Sequence, residues 1–89
     1  MIQSSVSITN ELGLHLRAAA RLVVLANQYA ASVKISANGK TVDGKSLLGI
    51  TSLLAKKGTV ITITADGEGE QEAVDQLSAL VQKGFPTTP

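Results

Sequence analysis

Three stretches with apolar residues at every second position narrow the folds open to this chain more than any other feature. Ile2, Val6 and Ile8 alternate with Gln3, Ser5, Ser7 and Thr9; Val33, Ile35 and Ala37 with Ser32, Lys34 and Ser36; Ile61, Ile63 and Ala65 with Thr62 and Thr64. A period of two is that of a β-strand with one buried face. Asn38-Gly39 follows the second stretch, the pair that type I′ hairpin turns favour because both central residues take positive φ. Residues 40–42 are therefore expected to return as a short third strand, and residues 59–65 form the fourth. The outward positions are mostly Ser, Thr and Lys, with Val60 the apolar exception. A sheet with one wet face needs its other face covered by the apolar residues of the intervening segments.

Those segments read as helices. Residues 16–29 are apolar almost all round, apart from a stripe of Arg17, Arg21, Val24 and Gln28; the stripe faces water and the remaining arc packs on the sheet. Residues 70–83 place Ala73, Val74, Leu77, Leu80 and Val81 at helical spacing, with acids in the first turns, Lys83 at the end, and Gly84 and Pro86 as stops. Residues 46–55 are a weaker helix because Gly49 lowers propensity, yet Leu47, Ile50 and Leu54 keep an i, i+3, i+7 stripe and Ser46 is a natural N-cap. Leu47 and Leu48 cannot both face inward on so short a helix. The order βαββαβα predicts an α+β fold, a two-layer open-faced β-sandwich in which three helices cover one face of a four-stranded antiparallel sheet. Residues 1–84 make the domain and residues 85–89 a short frayed tail.

Eighty-nine residues suit one domain. With no cysteine, the core must stand on packing, and disulfide frameworks, zinc fingers and thiol redox motifs are excluded. The first ten residues lack a basic start and an apolar h-region, and the longest apolar stretch, residues 14–26, carries His15, Arg17 and Arg21, so neither a secretion signal nor a membrane span is expected. Charge is unevenly spread: residues 1–57 hold seven basic and two acidic side chains, residues 58–89 one basic and five acidic. The basic half suits an acidic or phosphorylated partner. Nucleic-acid binding wants basic clusters interleaved with aromatics, and the aromatics here are Tyr29 and Phe85 alone.

The single histidine lies between a glycine-containing loop and a helix, in the run of residues 10–20 that reads Asn-Glu-Leu-Gly-Leu-His-Leu-Arg-Ala-Ala-Ala. At a helix start the first backbone N–H groups have no intrahelical partner, so an anion attached there meets donors already aimed at it. Arg17 adds a guanidinium fork suited to phosphate oxygens. The arrangement suits transient phosphorylation of the imidazole; from position and Arg17 alone, a plain helix cap or surface histidine fits equally well. A metal site lacks ligands, with only Glu11 nearby, and a hydrolytic triad lacks a serine elbow. Residues 39–46 satisfy G-x-x-x-x-G-K-[ST] letter for letter, but a phosphate-cradling loop follows a buried parallel strand, whereas here a hairpin turn opens the match. Ser46 stands apart from that pattern, since a phosphate on an N-cap serine places about two negative charges where the helix dipole favours them. Its bland reading is an ordinary cap. Leu47 and Leu48, with Ala20 and Val24, suit either a small apolar docking patch or completion of the core.

Taken together, Gly13-Leu14-His15 with Arg17, and Lys45-Ser46 at the right separation on the right element order, resemble the phosphocarrier protein HPr family of the bacterial phosphoenolpyruvate-dependent phosphotransferase system, over about residues 2–84. The resemblance implies a cytoplasmic carrier without independent turnover, needing no cofactor and no metal. His15 would accept a phosphoryl group on Nδ1 from phospho-enzyme I and pass it to an enzyme IIA domain, with Arg17 steadying the phosphate. Ser46 would be the target of an HPr kinase/phosphorylase and would promote complexes with a regulatory protein. Ala20, Val24, Leu47, Leu48 and Thr51 would form the partner-docking surface. Many family members read His-Ala-Arg-Pro-Ala-Ala, where this chain has Leu16 and Ala18; Asp43 and Gly44 stand where Asn and Ala are frequent. A purely regulatory module gated by Ser46 is the alternative within the same resemblance. A monomer is the plain expectation.

Overall fold

A computed structural model describes residues 1–86. The elements run β1 (Ile2–Ser7), α1 (Leu16–Ala26), β2 (Ser32–Ala37), β3 (Lys40–Asp43), α2 (Leu47–Thr51), β4 (Val60–Asp66) and α3 (Glu70–Gln82). The strands form one antiparallel sheet in the order β1-β4-β2-β3. The alternation of the sequence sets its register: Val6 pairs with Ile61, and Ile63 lies between Ser4 and Ile35. A slip of one residue would turn every one of these side chains to water. Val33, Ile35, Ile61, Ile63 and Ala65 point to the covered face and meet Ala19, Leu22, Ile50, Val74 and Leu77 from the helices in a single core. On the wet face, Ser5 meets Thr62 at 3.0 Å and Ser36 meets Thr41 at 2.8 Å, the cross-strand hydroxyl pairs that steady such a surface.

Asn38 and Gly39 take φ of 52° and 76°, so the β2–β3 connection is the expected turn. Lys40–Asp43 is strand, which rules out a phosphate-cradling loop across residues 39–46. The Asn38 amide also donates to the Leu53 carbonyl at 3.1 Å, tying the hairpin tip to the segment after α2.

Three helix ends differ from the expectations. α1 stops at Ala26, where Asn27 caps it and donates from its side chain to the Val23 carbonyl at 2.9 Å. α3 ends at Gln82 with Lys83 as its cap. α2 is only Leu47–Thr51, far shorter than residues 46–55. The reason is burial: Leu53 and Ala55 are both in the core, and residues two apart never share a helix face. The chain leaves the helix, and Leu54 turns out to solvent instead of completing the stripe. Leu16, assigned to the packed arc of α1, is likewise exposed. Phe85 overturns the frayed-tail expectation, because it is 6% exposed and belongs to the core; residues 87–89 lie outside the described residues.

The amino terminus is fastened to the start of α3. The Met1 ammonium lies 3.1 Å from the Glu70 carboxylate, which also accepts the Gly67 N–H at 2.9 Å. The Gly67 amide first, and then the ammonium, hold the Glu70 carboxyl below its ordinary 4.5; the Glu70 hydrogen bond holds the ammonium above its ordinary 8.0. A depressed carboxyl stabilises the fold above its unfolded value, and that contribution is lost as pH falls through the lower folded value. Urea midpoints measured against pH should therefore drop below about pH 4.5, and Glu70→Gln should flatten that limb. An unchanged acid limb in the variant would show that the contact contributes nothing.

Candidate functional site

The segment before α1 is held by the segment before β4. The Ile8 N–H donates to the Thr59 carbonyl at 2.9 Å and the Ile8 carbonyl accepts from the Gly58 N–H at 2.8 Å; further along, the Leu14 N–H donates to the Ala55 carbonyl at 2.9 Å. Between them the chain makes a turn, with Gly13 N–H on the Asn10 carbonyl at 3.1 Å and the Asn10 side-chain amide on the Gly13 carbonyl at 2.8 Å. Gly13 sits at φ 65°, and a Cβ there would run into the Ala55 carbonyl oxygen and the Lys56 Cα. Only glycine permits this approach. Outside the turn, the Lys57 ammonium meets the Glu11 carboxylate at 2.7 Å and holds that carboxyl below its usual range.

His15 emerges from this turn as the N-cap of α1. Its backbone is extended and its Nδ1 accepts the Arg17 N–H at 3.2 Å. An accepting Nδ1 carries a lone pair, which in the neutral ring leaves the proton on Nε2. The remaining first amides of α1 have no intrahelical acceptor and point the same way. His15, Arg17, Ala18 and Arg21 line one concave surface with Leu12 and Phe85. The ring is half-buried, so it is both held and reachable. Neither guanidinium has an ion-pair partner among the described residues, and the concavity is consequently positive.

The other expected site residues fall into two groups. Ala20 and Val24 line an apolar groove with Leu25, Gln28 and Leu80, at whose end stand Arg17 and Arg21. Ser46 caps α2, its Oγ accepting the Gly49 N–H at 3.1 Å. Leu47 packs against the core while Leu48 is 81% exposed; Thr51, half-buried, donates its hydroxyl to the Leu47 and Leu48 carbonyls at 3.1 Å. α1 lies against both α2 and α3. Lys45, beside Ser46, donates its ammonium to the Tyr29 carbonyl at 2.8 Å, so the chain before α2 is fastened to the turn after α1.

Three neighbours of His15 escaped the sequence reading. Leu12 and Arg21 had a signal, since both flank the histidine at loop and helical spacing. Phe85 had little: it returns to the site from the far end of the chain after Gly84, with its own φ at 55° and its N–H on the Leu80 carbonyl at 3.1 Å.

The chain is thus a small open-faced sandwich that displays one histidine at a capped helix start, inside a positive concavity. A family profile described as the PTS HPr component phosphorylation site matches residues 2–83. The phosphocarrier protein HPr of Cupriavidus necator is 46% identical over 96% of each chain. A crystal structure of HPr from Thermoanaerobacter tengcongensis superposes with a TM-score of 0.93 at 32% identity, covering 100% of both chains. Crh, the Bacillus subtilis catabolite repression protein, solved as a dimer with a swapped domain, matches with a TM-score of 0.75 at 39% identity, over 98% of this chain and 100% of its own. The chain belongs to the HPr family of phosphocarrier proteins of the phosphotransferase system.

The close approach at Gly13 is directly testable. Gly13→Ala adds a Cβ at positive φ against backbone atoms that cannot swing aside, and should cost about 2 kcal/mol or more of unfolding free energy. A denaturation midpoint equal to that of the unaltered chain would show that the two segments have room to part.

Proposed function

We propose that this protein is a cytoplasmic carrier that relays a phosphoryl group from phospho-enzyme I to an enzyme IIA domain through His15, without turnover of its own. The observation that carries the proposal is the cap itself: the Nδ1 lone pair faces the Arg17 N–H at the start of α1. In the transfer, that lone pair forms the bond to phosphorus as the bond from phosphorus to the donor atom breaks, its electron pair leaving with the donor. The Arg17 N–H, freed from the ring, turns to a phosphate oxygen, and the neighbouring amides and the Arg17 guanidinium are placed to share the charge. Passing the group on reverses these motions, and the amide recaps the ring. Nothing in the step needs a second copy of the chain, since His15, Arg17 and Phe85 come from one; we read the carrier as a monomer.

Ser46 supports a second, regulatory reading. Its Oγ already faces the first turn of α2, beside the exposed Leu48. A phosphate placed there by an HPr kinase/phosphorylase adds about two negative charges on the same side of the molecule as α1. That charge would repel an acidic partner and attract a basic regulatory one. Ala20, Val24, Leu47, Leu48 and Thr51 form the docking surface in this reading, with Leu47 contributing mainly by supporting Leu48. Ser46→Asp should slow acceptance at His15 by weakening the encounter with the donor; equal rates for both forms would remove the regulatory reading.

Incubation with enzyme I, phosphoenolpyruvate and Mg²⁺ should add one acid-labile phosphoryl group, seen by intact mass and mapped to His15. His15→Ala should take up none. The variant should keep its fold while losing about 1 kcal/mol with the cap. Uptake that persists in His15→Ala would overturn the proposal.

A further inference from the structure

The end of α3 is fastened to the loop that carries His15. The Gly84 N–H donates to the Val81 carbonyl at 3.0 Å and the Phe85 N–H to the Leu80 carbonyl at 3.1 Å, the paired bonds that close a helix around a left-handed glycine. The Thr9 hydroxyl donates to the Gln82 carbonyl at 3.3 Å, and a Cβ on Gly84 would come within 3.4 Å of that same hydroxyl oxygen. These contacts deliver Phe85 into the wall of the concavity that holds His15, Arg17 and Arg21, beside Leu12 and the buried Ala18.

The backbone of Phe85 is not one that a phenylalanine prefers. Its φ of 55° crowds the Cβ, and the Pro86 that follows favours an extended residue before it. Burial of the ring offsets that strain, yet any place in the core would do so equally. What distinguishes this place is that it borders the imidazole. Strained residues cluster at functional sites, where the surroundings hold them.

A phosphoryl group on Nδ1 is a reactive intermediate. Between donor and acceptor, a water oxygen can bond to phosphorus as the P–Nδ1 electron pair returns to the ring. The imidazole is then left neutral, and inorganic phosphate carries off the water's two protons. Excluding water prevents such losses, and an apolar wall strengthens the attraction between phosphate and the unpaired guanidinium groups. We infer that Phe85 shields the phosphorylated His15 from water and so sets how long the carrier holds its cargo. The inference rests on the carrier reading of His15 and gives the core residue Phe85 a second task.

The test follows the phosphorylated full chain after enzyme I and phosphoenolpyruvate are removed, reading the remaining acid-labile group by intact mass at neutral pH. Phe85→Ala should shorten its half-life about threefold or more, and Phe85→Val by less. Phe85→Leu, which keeps an apolar wall, should restore most of it. Val74→Ala, which truncates a core residue in the first half of α3, should lower the unfolding midpoint and leave the half-life unchanged. An unaltered half-life in Phe85→Ala and Phe85→Val would overturn the inference. So would an equal shortening in Val74→Ala, by showing that loosened packing alone is enough. Failure of the unaltered chain to take up any phosphoryl group would overturn the carrier reading instead.

Discussion

Two backbone segments that meet edge to edge carry everything this molecule displays. From Ile8 against Gly58 and Thr59 to Leu14 against Ala55, the chain before α1 is hydrogen-bonded to the chain before β4. The contact continues the β1–β4 pairing past the ends of both strands. It closes only because Gly13 has no Cβ to collide with the Ala55 carbonyl. His15 is the second residue beyond that glycine, so the height and direction of its ring are set by the sheet register through the loop. Leu54 is one residue before Ala55, and the same contact fixes where it stands.

Burial and charge divide the labour between the two halves of the chain. The alternating strands and α3 bury their apolar side chains almost completely, and the second half carries five of the seven acids. Among the basic residues of the first half, Arg17 and Arg21 stand together in the concavity around His15 without an ion-pair partner among the described residues. Lys57 and Lys45 are instead engaged in holding loops, on Glu11 and on the Tyr29 carbonyl. A net charge of +1 conceals this sorting. The field around the histidine is positive although the protein as a whole is close to neutral, which favours encounter with an anionic partner at one place on its surface.

The strands and the hairpin were legible because period-two alternation and Asn-Gly chemistry are local, and they act within a few residues. His15 and Ser46 were legible as caps for the same reason. What could not be read came from contacts between distant segments. Residues 46–55 have enough apolar spacing for a helix, but the demand to bury Leu53 and Ala55 together ended α2 at Thr51 and threw Leu54 outward. Phe85 looks like the start of a tail after Gly84, and only the arrival of α3 beside β1 and α1 gives it a place in the core next to the histidine. Helix propensity is weak evidence whenever such tertiary demands compete with it.

A histidine at a helix start invites two readings, a structural cap or a phosphoryl acceptor, and in the proposed transfer the two are one. The lone pair that satisfies the Arg17 N–H is the lone pair that attacks phosphorus in the proposed transfer. Capping therefore selects the nucleophilic nitrogen: it orients the ring, leaves the proton on Nε2, and aims Nδ1 where a phosphate would find backbone donors. Transfer then exchanges one acceptor at the helix start, a neutral nitrogen, for a charged oxygen. The helix loses no hydrogen bond in either state, so the group can arrive and depart without unfolding the turn that presents it. Ser46 has the same form on a smaller scale, an oxygen already satisfying an amide of α2. There the helix is a single short turn with Leu48 beside it, and under the proposed reading added charge would act chiefly on whatever docks next to it, which would separate a regulatory position from a carrying one.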